Sequence, residues 1–403
     1  MQPLEIAVRL AAFALGLALV ARTMLGAIRA LLLPRGSNDR LSRLPFRALR
    51  WLIERAVPPG RPFAARDAVL AYFAPVSLLV VLVYWLILVA IGYAAMYWAI
   101  GAGAGIGTPP PGGALTHDIA EAIRLSGSSL LTLGFAASDA PGATALIFSE
   151  AILGLILIAL LISYLPTIYS AFSRRELLVN LLEVRADTPP SPIVLLTRFD
   201  RLRGLDELHE MWVTWERWFA ELEETHTSLP VLSLYRSQRA ELSWVNAAGA
   251  IMDAAALTRS TVDLPGDVQA DLCIRAGYLA VRRVAGFFNI AYPTDPHQSD
   301  PTSITRARFD EVCAVLEDAG VPIKADRDRA WLDFNGWRVN YDAALFGLER
   351  LTNAPPSWWD RPLVSAYATD EPGLRDIVVA RPDAALVDDA GAVPERAAEE
   401  RLA

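Results

Sequence analysis

A chain of 403 residues has room for more than one folded unit, and 53% hydrophobic content with a mean hydropathy of +0.31 is high for a wholly soluble protein. A net charge of −8, with Lys324 the lone lysine, argues against nucleic acid as a partner. Two cysteines, Cys273 and Cys313, are too few for a disulfide framework, so reduced thiols are the default.

The first apolar stretch, Leu10–Val20, continues through Arg22 and Arg29 to Leu33. It lacks the basic lead-in and small-residue cleavage site of a secretory signal. Residues 1–33 read as an N-terminal membrane helix with its arginines snorkelling at one end, or else as a half-buried interfacial helix. Two arginines seven residues apart do not form the ladder of a voltage sensor. Residues 34–66 carry eight arginines, from Arg35 to Arg66, against Asp39 and Glu54. Such a bias places a segment on the cytoplasmic side. Pro45 opens a helical pattern with Leu44, Ala48, Leu49, Leu52, Ile53 and Ala56 on one face. This predicts an amphipathic helix on the inner leaflet, the alternative being a plain basic linker.

Residues 68–100 form an apolar run that as one helix would span about 50 Å, more than the ~30 Å hydrocarbon core. A kink is expected at Pro75, with Val76–Trp98 crossing the membrane and Tyr93, Tyr97 and Trp98 forming an aromatic belt at the exit. The Gly/Pro-rich Gly101–Gly113 follows, and then a mildly acidic stretch with His117, Asp118, Glu121 and Asp139 against Arg124. That stretch either concentrates cations outside or is an ordinary solvated loop. A short helix is expected over 116–131, capped by Thr116, with Asp118 and Glu121 in its first turn. Pro141 and Gly142 then turn the chain into a third apolar helix, 143–171.

The order apolar helix, short helix, Thr132-Leu133-Gly134-Phe135-Ala136, apolar helix resembles the pore unit of the bacterial potassium channel family over about residues 66–175. There the extended piece, usually Thr-Val-Gly-Tyr-Gly, is the selectivity filter. The resemblance implies an all-α membrane protein with a pore-loop channel unit at residues 67–172. It also implies a homotetramer in the lipid bilayer of the cytoplasmic membrane, conducting monovalent cations such as potassium, with no cofactor or other metal.

In such a filter, backbone carbonyls replace an ion's hydration shell. Lining them up needs alternating left- and right-handed backbone, hence the family's glycines. Gly134 supplies one such position, Thr132 adds its hydroxyl at the inner mouth, and Phe135 is expected to pack outward on the short helix. Ala136 stands where the family has its second glycine, Phe135 where it has tyrosine, and Ala137 where it has aspartate. A left-handed Ala136 would cost roughly 1 kcal/mol or more, predicting weaker preference for potassium over sodium.

Glu150, two turns into the third apolar helix, calls for a partner or a water path. Ser126, Ser128 or Ser129 is expected to hydrogen-bond it behind the filter, unless it only reaches the outer interface. Gly154 and Pro166 are gating candidates, a hinge and a kink near the inner end, although Gly154 is also the kind of residue that lets helices pack closely.

Residues 173–369 read as a mostly helical cytoplasmic domain. Helical patterns are expected over 206–224, 239–259, 268–290, 305–319 and 339–351, with a break at 187–192. There is no Gly-x-Gly-x-x-Gly after a strand, no β-roll alternation and no His/Cys/carboxylate spacing for a metal. No catalytic constellation stands out, so an enzyme is not expected. The regulatory ligand or protein partner of this domain is unassigned. Residues 370–403 read as an acidic disordered tail. A membrane sensor or scaffold that keeps the pore fold without conducting is the alternative to a channel.

Overall fold

The computed structural model describes residues 3–31, 40–56, 63–102, 114–138, 140 and 142–360. The linker at 103–113, Arg35, Arg61, Asp139, Pro141 and the acidic tail lie outside the described residues, as do the Thr116 and His117 side chains. The chain divides into Met1–Trp358 and a second unit, Trp359–Ala403, of which Trp359 and Asp360 are described. Among the described residues the protein is helical throughout, apart from a single bridge between Val262 and Ile323. Three helical stretches, Pro3–Leu31, Ala65–Ala99 and Ala143–Ala186, are long and apolar enough to cross a membrane.

Helix α1 (Pro3–Leu31) runs antiparallel to α4 (Phe73–Ala99): Arg9 sits over the Trp98 ring, and Gly16 meets Gly92. The crossing is glycine-to-glycine, because a Cβ at Gly16 would lie 2.4 Å from the Gly92 carbonyl oxygen. Helix α2 (Arg40–Ala56) leaves Leu44, Trp51 and Leu52 exposed, with the Arg55 guanidinium 4.5 Å from the Trp51 ring. The apolar run at 68–100 is split rather than bent. Helix α3 (Phe63–Leu70) ends, Ala71 and Tyr72 turn, and α4 begins. The proline ring at Pro75 would clash with the carbonyl four residues earlier, that of Ala71, which is where the break falls.

Helix α5 (Ala114–Leu130) packs between α4 and α6 (Ala143–Ala186). Helix α6 passes Pro166 without interruption and continues beyond the apolar run. The remainder is a helical cluster: α7 (Pro192–Arg201), α8 (Leu208–Ser228), α9 (Trp244–Ser260), α10 (Val268–Phe287), α11 (Arg306–Asp318), α12 (Arg327–Arg338) and α13 (Asp342–Thr352). Its axis is α9, whose residues are all buried except Arg259, and whose alanines let other helices approach from every side. The one carboxylate inside α9 is fully satisfied. Asp253 accepts from the Arg338 guanidinium at 2.6 and 2.7 Å, from the Tyr341 hydroxyl at 2.8 Å and from the Trp358 indole at 2.9 Å. This ties α9 to α12 and α13.

Candidate functional site

The chain leaves α5 by tightening. Leu131, Thr132 and Leu133 donate their amides to the carbonyls of Gly127, Ser129 and Ser128 at 3.3, 3.0 and 2.8 Å. The backbone then alternates: Thr132 (φ 54°) and Gly134 (φ 71°) are left-handed, while Leu133, Phe135 and Ala136 are not. A β-branched residue seldom takes this conformation, at a cost of roughly 1–2 kcal/mol. The left-handed position expected at Ala136 is therefore found at Thr132, and the methyl group of Ala136 meets no backbone conflict.

Ser128 fixes the rest of the segment. Its hydroxyl oxygen accepts from the amides of Phe135 and Ala136 at 3.1 and 3.2 Å. In a trans peptide the carbonyl points opposite to the following N–H. With the amides of Leu133, Phe135 and Ala136 turned toward α5, the carbonyls of Thr132, Gly134 and Phe135 point away from it. Residues 131–135 are exposed on that side, Leu133 by 60% and Phe135 by 57%. Phe135 does not pack against the core; its ring lies 5.6 Å from the Arg124 guanidinium, itself 3.3 Å from Glu121. The carboxyl end of α5, with its negative dipole, sits behind the carbonyl row.

Glu150 is wholly buried in α6. One carboxylate oxygen lies 2.5 Å from the Ser126 hydroxyl on α5 and the other accepts from the Tyr97 hydroxyl on α4 at 2.9 Å. Ser126 also lies 3.0 Å from the Ala90 carbonyl oxygen. Glu150 therefore pins three helices behind the carbonyl row, and does not reach the outer interface. Of the three serines expected as its partners, Ser126 fills the role. Ser128 serves the segment amides instead, and Ser129 turns back on its own helix to the Leu125 carbonyl at 2.8 Å. The Ser129 hydroxyl is also a hydrogen-bond partner of Tyr97, beside the Glu150 carboxyl group. Tyr97, expected at the membrane exit, is buried at this carboxylate, and Tyr93 pairs with Ser149 at 2.8 Å. Their four-residue spacing puts both on one face of α4.

Gly154 lies at a close helix contact. A Cβ there would lie 2.3 Å from the Leu130 carbonyl oxygen, so α6 and the end of α5 touch backbone to backbone. At the other end of α6, Arg175 is buried and gripped by the helical cluster. It donates to the carbonyls of Leu232 and Tyr235 at 2.9 and 2.8 Å, pairs with Glu176, and lies 3.2 Å from His226. The Trp218 indole donates to the Arg175 carbonyl oxygen at 3.3 Å.

No family model matches the chain, and neither does any curated protein or solved structure. Among the described residues no group of three or more His, Cys, Asp or Glu side chains gathers as a metal site.

Proposed function

We propose that this chain is one subunit of a homotetrameric pore-loop channel for monovalent cations, with residues 132–136 as its filter. One observation carries the reading: three carbonyls, of Thr132, Gly134 and Phe135, turn to one exposed side while the amides next to them are tied back to α5. A row of carbonyls with no donor on it among the described residues suits a dehydrated cation, and four such rows around an axis would replace its hydration shell. The buried carboxylate behind the row and the alternating φ angles belong to the same economy. They hold a strained segment in one conformation.

The Arg-rich segment around α2 supports an orientation with α2 and the α7–α13 cluster in the cytoplasm. Cysteines introduced at Ala137 and Glu210 should then be labelled from opposite sides of the membrane, against a low background, because Cys273 and Cys313 are buried. The test of function is recording from purified protein in planar bilayers, with potassium and sodium on opposite sides. Cation currents that vanish when Gly134 is replaced by Val support the channel. A silent protein that still assembles as a tetramer would instead be a membrane scaffold that keeps the pore fold.

A further inference from the structure

Where the membrane helices meet the helical cluster there is a cavity of about 370 Å³. Four arginines line it, Arg50 from α2, Arg66 from α3, Arg236 beside the 3-10 turn at Pro230–Leu234, and Arg350 from α13. None of the lining residues is acidic. Arg236 is held in an ion pair with Asp67. The guanidinium groups act in a space walled partly by Ile53, Leu70 and Phe73. Low-dielectric walls focus such a field.

The cavity is also built. Arg236 donates to the carbonyls of Thr352 and Asn353, each at 2.7 Å, capping the end of α13, and Arg66 donates to the Asn353 side-chain oxygen at 3.2 Å. Asn353 is left-handed, at φ 49°, as the C-cap of α13. The floor is thus fixed by backbone contacts, while Arg66 and Arg350 retain donors for a guest. Guanidinium forks match the oxygens of phosphate in pairs, which a point charge cannot do.

We propose that this cavity binds a phosphate group carried by a ligand of glycerophosphate size or larger. Bare phosphate would fill little of the space and leave the apolar wall untouched. The wall comes from the turn where α3 gives way to the membrane-crossing α4, next to the exposed apolar face of α2. An anionic phospholipid would reach the site from the bilayer, its phosphate on the arginines and its glycerol against Ile53 and Phe73. A water-soluble phosphate ester would reach it from the other side. The site stands whether or not the pore conducts.

The test uses the full chain purified in neutral detergent, titrated with dioctanoyl phosphatidylglycerol, glycerol 3-phosphate and dioctanoylglycerol, with binding read by native mass spectrometry. The phosphate-bearing ligands should bind at least tenfold more tightly than dioctanoylglycerol. Arg66→Gln/Arg350→Gln should lose about tenfold, and Arg66→Lys/Arg350→Lys, which keeps the charge but not the fork, should lose less. A distant control, Arg283→Gln/Arg329→Gln, should lose nothing. Binding of the lipid that glycerol 3-phosphate fails to displace assigns the site to the membrane; equal binding of both assigns it to a soluble ester. Affinity unchanged in both cavity variants, or equal binding of dioctanoylglycerol, overturns the proposal.

Discussion

The Glu150 carboxylate and the Ser126 hydroxyl lie 2.5 Å apart, although they belong to different helices and sit 24 residues apart in sequence. Tyr97 completes the contact from a third helix, so a single buried carboxylate fixes the depth of α5 against both α4 and α6. An unpaired carboxylate here would be expensive, and its presence marks a position where geometry matters.

Glu150→Gln keeps an acceptor for Tyr97, and its amide can donate to Ser126, which frees the serine proton for the Ala90 carbonyl. It should assemble and remain within about 1 kcal/mol of the parent. Glu150→Val strands both hydroxyls and should cost roughly 1–3 kcal/mol for each group left without a partner. Thermal unfolding of the three purified proteins in one detergent checks the order. Equal melting temperatures for Gln and Val would show that the carboxylate does not hold α5.

Ser128→Ala removes the acceptor shared by the amides of Phe135 and Ala136. In bilayer recordings it should abolish discrimination between potassium and sodium, and Ser128→Thr should retain it. Ala136→Gly, by contrast, should leave reversal potentials where they were, because Ala136 is not left-handed. A shift toward potassium in Ala136→Gly would mean that the open filter uses a different backbone from this one.

Gly154→Ala pushes a methyl group into the Leu130 carbonyl oxygen. Overpacking of this kind costs about 1–3 kcal/mol, since neither helix backbone yields easily. A hinge glycine would behave differently, with unchanged stability and altered open times. The melting temperature separates the two.

His226 makes the helical cluster sensitive to acid. Burial, reinforced by the Arg175 guanidinium, pushes its pKa well below the ordinary value near 6.5. The unfolded chain takes up a proton as the pH falls through about 6.5 and the folded chain does not, so the contribution is complete above that value and is lost below it. The slope approaches about 1.4 kcal/mol per pH unit. His226→Gln still accepts from Arg175 and cannot titrate. Melting curves between pH 7 and pH 5 should converge on those of the parent at the acid end and fall below them at neutral pH.

The three crossing helices were legible because hydropathy survives any tertiary arrangement, and the ends of α5, α10 and α11 were legible from their periodicity. The α12 helix was not, since Arg327–Arg338 is dense in charge and buries only Ala330, Phe334, Asn335 and Arg338. Helix α7 had a signal in Ser191-Pro192, a capping serine followed by a proline at the first helical position, but those residues read as part of the break at 187–192. At the site, the types of residue were readable and the pairing was not. Three serines, Ser126, Ser128 and Ser129, stand on the end of α5, and only the turn of that helix decides which faces Glu150, which faces the amides of Phe135 and Ala136 and which bonds its own helix. The arginine cavity was beyond reach for a simpler reason: Arg50 and Arg350 are brought together by the fold, with 300 residues of chain between them.

Helix α6 is 44 residues long and passes through its proline unbroken, from the Gly142 cap to Ala186. At 1.5 Å per residue it is a rod of about 66 Å, with Glu150 and Arg175 about 38 Å apart along it. Each is clamped by a different part of the protein, and the helix between the two grips runs on through Pro166 without a break. A tilt of about 5° at one grip sweeps the far end of such a ~66 Å rod through roughly 6 Å, a full helical turn. Whatever shifts the helical cluster is therefore geared upward on its way to the bilayer. It arrives as leverage on the helix that backs the carbonyl row.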